Sequence, residues 1–136
     1  KRIQIPQESI STLKAQSHYQ VLVVDDEIAN IEAMTHLMNK WGAQCHTSTN
    51  AQDALAIAQS AVQIDVILMD YQLGDEDDGL SVIAKIREIR QQQIPAILIT
   101  AVRDDGLKAT AKASAVHYLS KPVKPAKLKA LLNHSL

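Results

Sequence analysis

Cys45 is the only cysteine in 136 residues, which excludes an internal disulfide framework and fits a reducing compartment. No apolar run approaches the ~20 residues needed to span a bilayer, and no signal-peptide pattern opens the chain. An excess of one charge is lacking too. Fourteen basic and fifteen acidic residues leave a formal net charge of −1, so the overall balance does not point to nucleic acid. The five histidines (His18, His36, His46, His117 and His134) show no metal-ligand spacing. What remains is an ordinary apolar fraction, 46%, in a chain long enough for one domain with a real core.

The charges are unevenly placed. Ten acidic residues fall at or just after the ends of four apolar runs: VLVVDDE at 21–27, VILMDYQL at 66–73, AILITA at 96–101 and HYLSKP at 117–122. Lys121, Lys124, Lys127 and Lys129 gather near the C-terminus. Short apolar runs of this kind read as strands buried on both faces, as in a parallel sheet. Groups at the carboxyl ends of such strands converge in the crevice where open α/β sheets bind ligands. Asp25, Asp26, Asp70, Thr100 and Lys121 would therefore meet at one sheet edge.

The rest of the chain alternates. Residues 1–18 are polar, and apart from Ile3 and Ile5 before Pro6 they read as a linker or the end of an upstream domain. Strands are expected at 20–25, 43–48, 64–70, 96–100 and 116–120. Helices are expected near 28–41, 50–61, 79–90, 105–113 and 125–134. Ile31, Met34, Leu37, Met38 and Trp41 make one apolar stripe on the first helix; Leu80, Ile83 and Ile86 do so on the third. Gly42 suits a left-handed helix end, Asn50 an N-cap, and Asp104 or Asp105 another. Complete alternation implies right-handed βαβ crossovers and a three-layer, doubly wound α/β fold.

Three carboxylates, a hydroxyl and an amine at one edge suit a divalent cation and a phosphoryl group. Mg²⁺ fits an open all-oxygen site, and phosphoryl transfer depends mostly on positioning and charge neutralisation. Asp70 ends the most apolar strand and is the expected nucleophile. A single Asp at a strand end is usually a turn or cap residue. Four strand ends that each offer a group from one mechanism outweigh that reading.

With Asp25-Asp26, Asp70, Thr100-Ala101, Tyr118 and Lys121-Pro122 in order, residues 19–136 resemble a receiver domain of bacterial two-component signalling. The resemblance implies a flavodoxin-like five-stranded sheet of order 2-1-3-4-5. It also implies Mg²⁺ held by Asp26, Asp70 and the backbone carbonyl of Gln72, with Asp25 acting through water. Asp70 would take a phosphoryl group from a phosphohistidine. Thr100, the Ala101 backbone and Lys121 would hold its oxygens, and the Lys121–Pro122 bond would be cis. Thr100 would then move, Tyr118 would turn inward, and the surface of the fourth helix and fifth strand would change.

Two departures stand out. The loop YQLGDEDDG is one residue longer than usual and carries Asp75, Glu76, Asp77 and Asp78; Ser114 replaces a usual Gly, so that helix end is expected to be strained or differently capped.

The expected setting is cytoplasmic, without direct membrane or nucleic-acid contact. Lys1 in place of Met, the RIQIP segment and the KPVKPAKLKALL ending resemble the C-terminal receiver of a hybrid histidine kinase. Its partners would be that kinase's own histidine domain or a histidine phosphotransfer protein. A stand-alone regulator acting by protein contacts is the alternative. Of other classes, a partner-binding pseudo-receiver is opposed by the complete residue set. A flavodoxin-like cofactor binder is opposed by the acidic loop after the first strand, and an aspartyl-phosphate phosphatase by Gln72 where a second acid is needed.

Overall fold

A computed structural model describes residues 19–74 and 77–136. The expectations for residues 1–18, and for Asp75 and Glu76, lie outside the described residues. Five strands alternate with five helices: β1 (Gln20–Val24), α1 (Ile28–Lys40), β2 (Gln44–Ser48), α2 (Ala51–Gln59), β3 (Val66–Asp70), α3 (Gly79–Arg90), β4 (Ala96–Thr100), α4 (Asp105–Ala113), β5 (His117–Ser120) and α5 (Pro125–Ser135). The strands form one parallel sheet of order β2-β1-β3-β4-β5. Among the described residues, no helix is long and apolar enough to cross a membrane.

Alternation along the strands builds the two cores. Leu22, Val24, Ile67, Met69, Ala96 and Leu98 face one side, against α2, α3 and α4 through Ala54, Val82, Ile83, Ile86 and Ala111. Val21, Val23, Val66, Leu68, Ile97 and Ile99 face the other, against Ile31 and Met38 of α1 and Leu128 and Leu132 of α5. Every residue of β3 and β4 is buried, so these two strands anchor the sheet on both faces. The α1 stripe is as the periodicity implies, with Met34, Leu37 and Trp41 half-buried beside Ile31 and Met38. On α3 the buried face also takes in Val82, while Leu80 is only half-buried.

Element ends follow local chemistry. Asn50 caps α2 by accepting from the Asp53 amide at 2.7 Å, and Asp104 caps α4 by accepting from Gly106 and Leu107. β3 begins at Val66, two residues later than the expected span of 64–70; just before it, the Asp65 carboxylate accepts the Gln20 amide at 2.7 Å. α2 stops at Gln59, where the Ser60 hydroxyl donates to the Ile57 carbonyl at 2.6 Å.

The end of α4 carries the strain expected of it, one residue past Ser114. Ser114 keeps φ at −92°, and the left-handed residue is Ala115, at φ 58°. Ala115 donates to the Lys112 carbonyl at 3.0 Å and Val116 to the Ala111 carbonyl at 2.9 Å, the paired bonds of a Schellman turn. The geometry matches that at Gly42 (φ 89°) after α1, but here a side chain bears it. Arg87 of α3 holds the turn, donating to the Ser114 and Ala115 carbonyls at 2.7 and 3.0 Å and to Ile94 at 2.9 Å. Arg90 likewise donates to the carbonyls of Ala58, Ser60 and Val62 at and just past the end of α2. Both arginines set a cation on the negative end of a neighbouring helix.

Ala115→Gly should therefore raise stability by about 0.5–1 kcal/mol, read as a higher urea midpoint at unchanged slope, because glycine adopts positive φ without the Cβ penalty. A lower midpoint would show that the turn is not strained.

Candidate functional site

The parallel register sets the site. Val24 lies level with Met69, which brings the following residues, Asp25 and Asp70, side by side; Asp70 pairs with Ile99, and Thr100 with Ser120. The ladder continues past the strand ends, with amides of Asp25, Tyr71 and Lys121 donating to the carbonyls of Ser48, Ile99 and Thr100 at 3.1, 3.0 and 2.9 Å. Each reactive side chain therefore leaves a backbone already pinned to its neighbour.

Asp25, Asp26 and Asp70 each present a carboxylate oxygen within 4.8 Å of the other two. Asp70 and Asp25 are buried, at 6% and 8% exposure, while Asp26 is exposed. Charges at that spacing repel by about 3.5 kcal/mol per pair at an effective dielectric of about 20. Lys121 Nζ partly offsets this, 3.4 Å from Asp70 Oδ1 and 3.8 Å from Asp25 Oδ2. One ammonium against three carboxylates leaves a formal excess of two negative charges, and all the side-chain donors are hard oxygens. This set suits a divalent cation, admitted past exposed Asp26. The strain is visible in Asp70, whose pKa is pushed up to about 6, by burial first and then by Asp25, against the lowering influence of Lys121.

The remaining site residues surround this centre. Thr100 is buried at 2% exposure, and its hydroxyl accepts from the Val102 amide at 3.0 Å; Ala101 is exposed beside it. Tyr118 is half-buried, and its hydroxyl donates to the Val102 carbonyl. Val102 thus joins Thr100 and Tyr118 through the two ends of its backbone. The Lys121–Pro122 peptide is cis. Gln72 is exposed and forms an isolated antiparallel bridge with Asp78, whose side chain caps α3 by accepting the Ser81 amide at 2.8 Å. Asp77 pairs with Lys85 at 3.6 Å on the surface, a contact of little energetic weight.

Sequence reasoning overlooked Gly79. A Cβ there would stand 2.4 Å from the Asp70 carbonyl oxygen, 2.8 Å from Met69 Cγ and 3.0 Å from Leu98 Cδ1. Its amide donates to the Tyr71 carbonyl at 2.7 Å, so α3 starts directly against the strand that bears Asp70. A lone glycine closing the acidic loop was the only signal in the sequence.

The model of the response regulator receiver domain family matches residues 21–133. Two-component response regulator PprB of Pseudomonas aeruginosa is 30% identical over 119 residues, covering 84% of this chain and 42% of PprB. Hybrid signal transduction histidine kinase L of Dictyostelium discoideum is 34% identical over 120 residues, covering 82% of this chain and 7% of the kinase. The chain spans less than half the length of these curated relatives. Chemotaxis protein CheY4 of Vibrio cholerae has a similar structure, with TM-score 0.77 and 27% identity over 88% of this chain and 99% of that one.

Two outcomes follow from the geometry. Gly79→Ala should cost about 1–3 kcal/mol in urea denaturation, since the new methyl has only backbone and packed side chains to displace. An unchanged midpoint would mean that α3 shifts freely from β3. Asp70→Asn should stabilise the cation-free protein above pH 6, by at most about 2–3 kcal/mol, because the variant never bears the buried charge. The raised pKa means that native Asp70 keeps its proton between about pH 4 and pH 6 while the unfolded chain loses its own. Wild-type stability therefore falls across that window, and the gain from Asn should vanish near pH 4. Thermal melts in EDTA across pH 4–8 measure this; a pH-independent difference would refute it.

Proposed function

The chain belongs to the response regulator receiver domain family, and we propose that its Asp70 accepts a phosphoryl group from a phosphohistidine. The observation that carries this reading is the enclosed Asp70 carboxylate, 3.4 Å from Lys121 and within 4.8 Å of two further carboxylate oxygens. An Asp70 oxygen would attack phosphorus as the phosphorus–nitrogen bond breaks, and the bond electrons would leave with the imidazole. Lys121, Thr100 and the Ala101 backbone would then hold the phosphoryl oxygens. Asp25, Asp26, Asp70 and the Gln72 carbonyl would hold Mg²⁺, which supplies the charge neutralisation that such transfer needs.

The switch would run through Val102. An acyl phosphate brings added charge and acceptor oxygens. Thr100 turning toward it would release the Val102 amide, and Val102 also anchors Tyr118. The surface of α4 and β5 would respond. In the full-length protein the donor would be the histidine domain of the same hybrid kinase, or a histidine phosphotransfer protein. The 34% identity to a hybrid histidine kinase supports that setting. The likeness to CheY4 over 99% of its length supports the stand-alone alternative.

Trp41 lies at the far end of α1, roughly 20 Å from the Asp25-Asp26 loop at 1.5 Å rise per residue, so amide NMR reports on the site better than indole fluorescence. Titration with Mg²⁺ and then beryllofluoride should shift the amides of Asp70, Thr100, Val102 and Lys121 saturably. Phosphoramidate should add one phosphoryl group to the wild type, read by intact mass, and none to Asp70→Asn. Lys121→Ala should retain Mg²⁺-dependent shifts but lose those at Tyr118. Labelling of Asp70→Asn at the wild-type rate would move the acceptor elsewhere.

A further inference from the structure

Histidines that show no ligand spacing along the chain are paired by the fold. The rings of His117, on β5, and His134, in the last turn of α5, have centroids 5.6 Å apart and planes crossed at 75°. His117 is half-buried and His134 exposed. Among the described residues, neither ring has a hydrogen-bond or ion-pair partner, whereas His46 is committed to Gln20 at 2.7 Å. Both backbones are fixed. His117 is in register with Ile97 of β4, and α5 is seated by buried Leu128 and Leu132 and closed by the Leu136 amide on the Leu132 carbonyl at 2.9 Å.

We propose that His117 and His134 chelate a late first-row divalent metal ion, Zn²⁺ in the first instance, which fastens the end of α5 to the edge strand. With metal–nitrogen bonds of about 2.0–2.1 Å, a shared ion lies roughly 3 Å from each ring centre, so centres up to ~6 Å apart can hold one. A plain edge-to-face contact occupies the same separation. What favours the metal is that the ring nitrogens have no other partner and that the pair sits at the C-terminus of α5, where the helix dipole favours a cation. Water would fill the remaining positions. Imidazole selects late transition ions, whereas Mg²⁺ requires oxygens, so this pair and the carboxylates take different cations. The two sites are also apart: His117 precedes Lys121 by four residues, roughly 13 Å along an extended strand. Exposed Lys108 and Lys112 line the groove beside His117, and their solvent-screened charges would weaken binding without abolishing it.

The test is calorimetric titration of the untagged protein with Zn²⁺ in excess Mg²⁺, which fills the oxygen site. One equivalent should bind, and His117→Gln and His134→Gln should each lose about tenfold or more in affinity, while His36→Gln loses none. Zn²⁺ at roughly tenfold over its Kd should raise the melting temperature of the wild type by several degrees and leave that of His134→Gln unchanged. Exposed His134 can be replaced without disturbing the core, and an unchanged metal-free melt of that variant verifies this. Substoichiometric Cu²⁺ should show electron-spin coupling to two ring nitrogens in the wild type and to no more than one in His134→Gln. No Zn²⁺ binding, binding indifferent to His134→Gln, or displacement of Zn²⁺ by Mg²⁺ would overturn the inference. The proposal stands apart from the phosphoacceptor reading, because His134→Gln should keep the wild-type beryllofluoride shifts at Asp70.

Discussion

Three carboxylates crowd within 4.8 Å, with one ammonium to answer them. A flexible backbone would relax this arrangement by letting the charges part. Here Asp25 and Asp70 leave neighbouring buried strands that are hydrogen-bonded beyond their last residues, and Lys121 leaves an edge strand pinned to Thr100. The sheet therefore holds an electrostatic debt that a cation, a proton or a transferred group can relieve. The elevated pKa of Asp70 and the affinity expected for a divalent cation are two faces of that constraint.

The two edges of the sheet are built for opposite purposes. At the amino edge, Arg87 and Arg90 bind seven backbone carbonyls between them, counting the looser 3.3 Å contact to Ile57, and tie α3 to the ends of α2 and α4. These contacts satisfy helix termini and leave that edge little freedom. At the carboxyl edge the backbone ladder runs on through Asp25, Tyr71 and Lys121, but the loop beyond Thr100 is held through Val102, whose amide is bound by a hydroxyl that can rotate. Local rearrangement is cheaper where fewer backbone bonds must break. α3 spans both edges: it begins at Gly79 against Asp70 and ends in Arg87, which holds the turn before β5, and Arg90, which holds the turn before β3.

The charge pattern extends the same logic outward. Acids concentrate at the crevice, and bases flank Tyr118 at the neighbouring cleft. Lys121 belongs to both, lining the cleft while pairing with Asp25 and Asp70. A change of charge at Asp70 would therefore alter the field around Lys121.

Alternation of apolar runs with amphipathic stretches was enough to name ten elements, because burial on both faces and a 3.6-residue stripe leave direct marks on residue type. The strand-end residues were legible for the same reason: a carboxylate, hydroxyl or amine that closes an apolar run cannot point into the core. Other features had no such mark. The closeness of Gly79 to Asp70 and the carbonyl clamps of Arg87 and Arg90 join residues apart in sequence, and the left-handed turn falls on Ala115, one residue past Ser114. Residue type and order by themselves determined the sheet, its helices and the set of reactive groups at its edge, because each follows from local hydrophobic pattern. Spacing among those groups, the Asp70 pKa and the link through Val102 were decided only by tertiary packing, since they depend on strand register and on how closely one backbone approaches another.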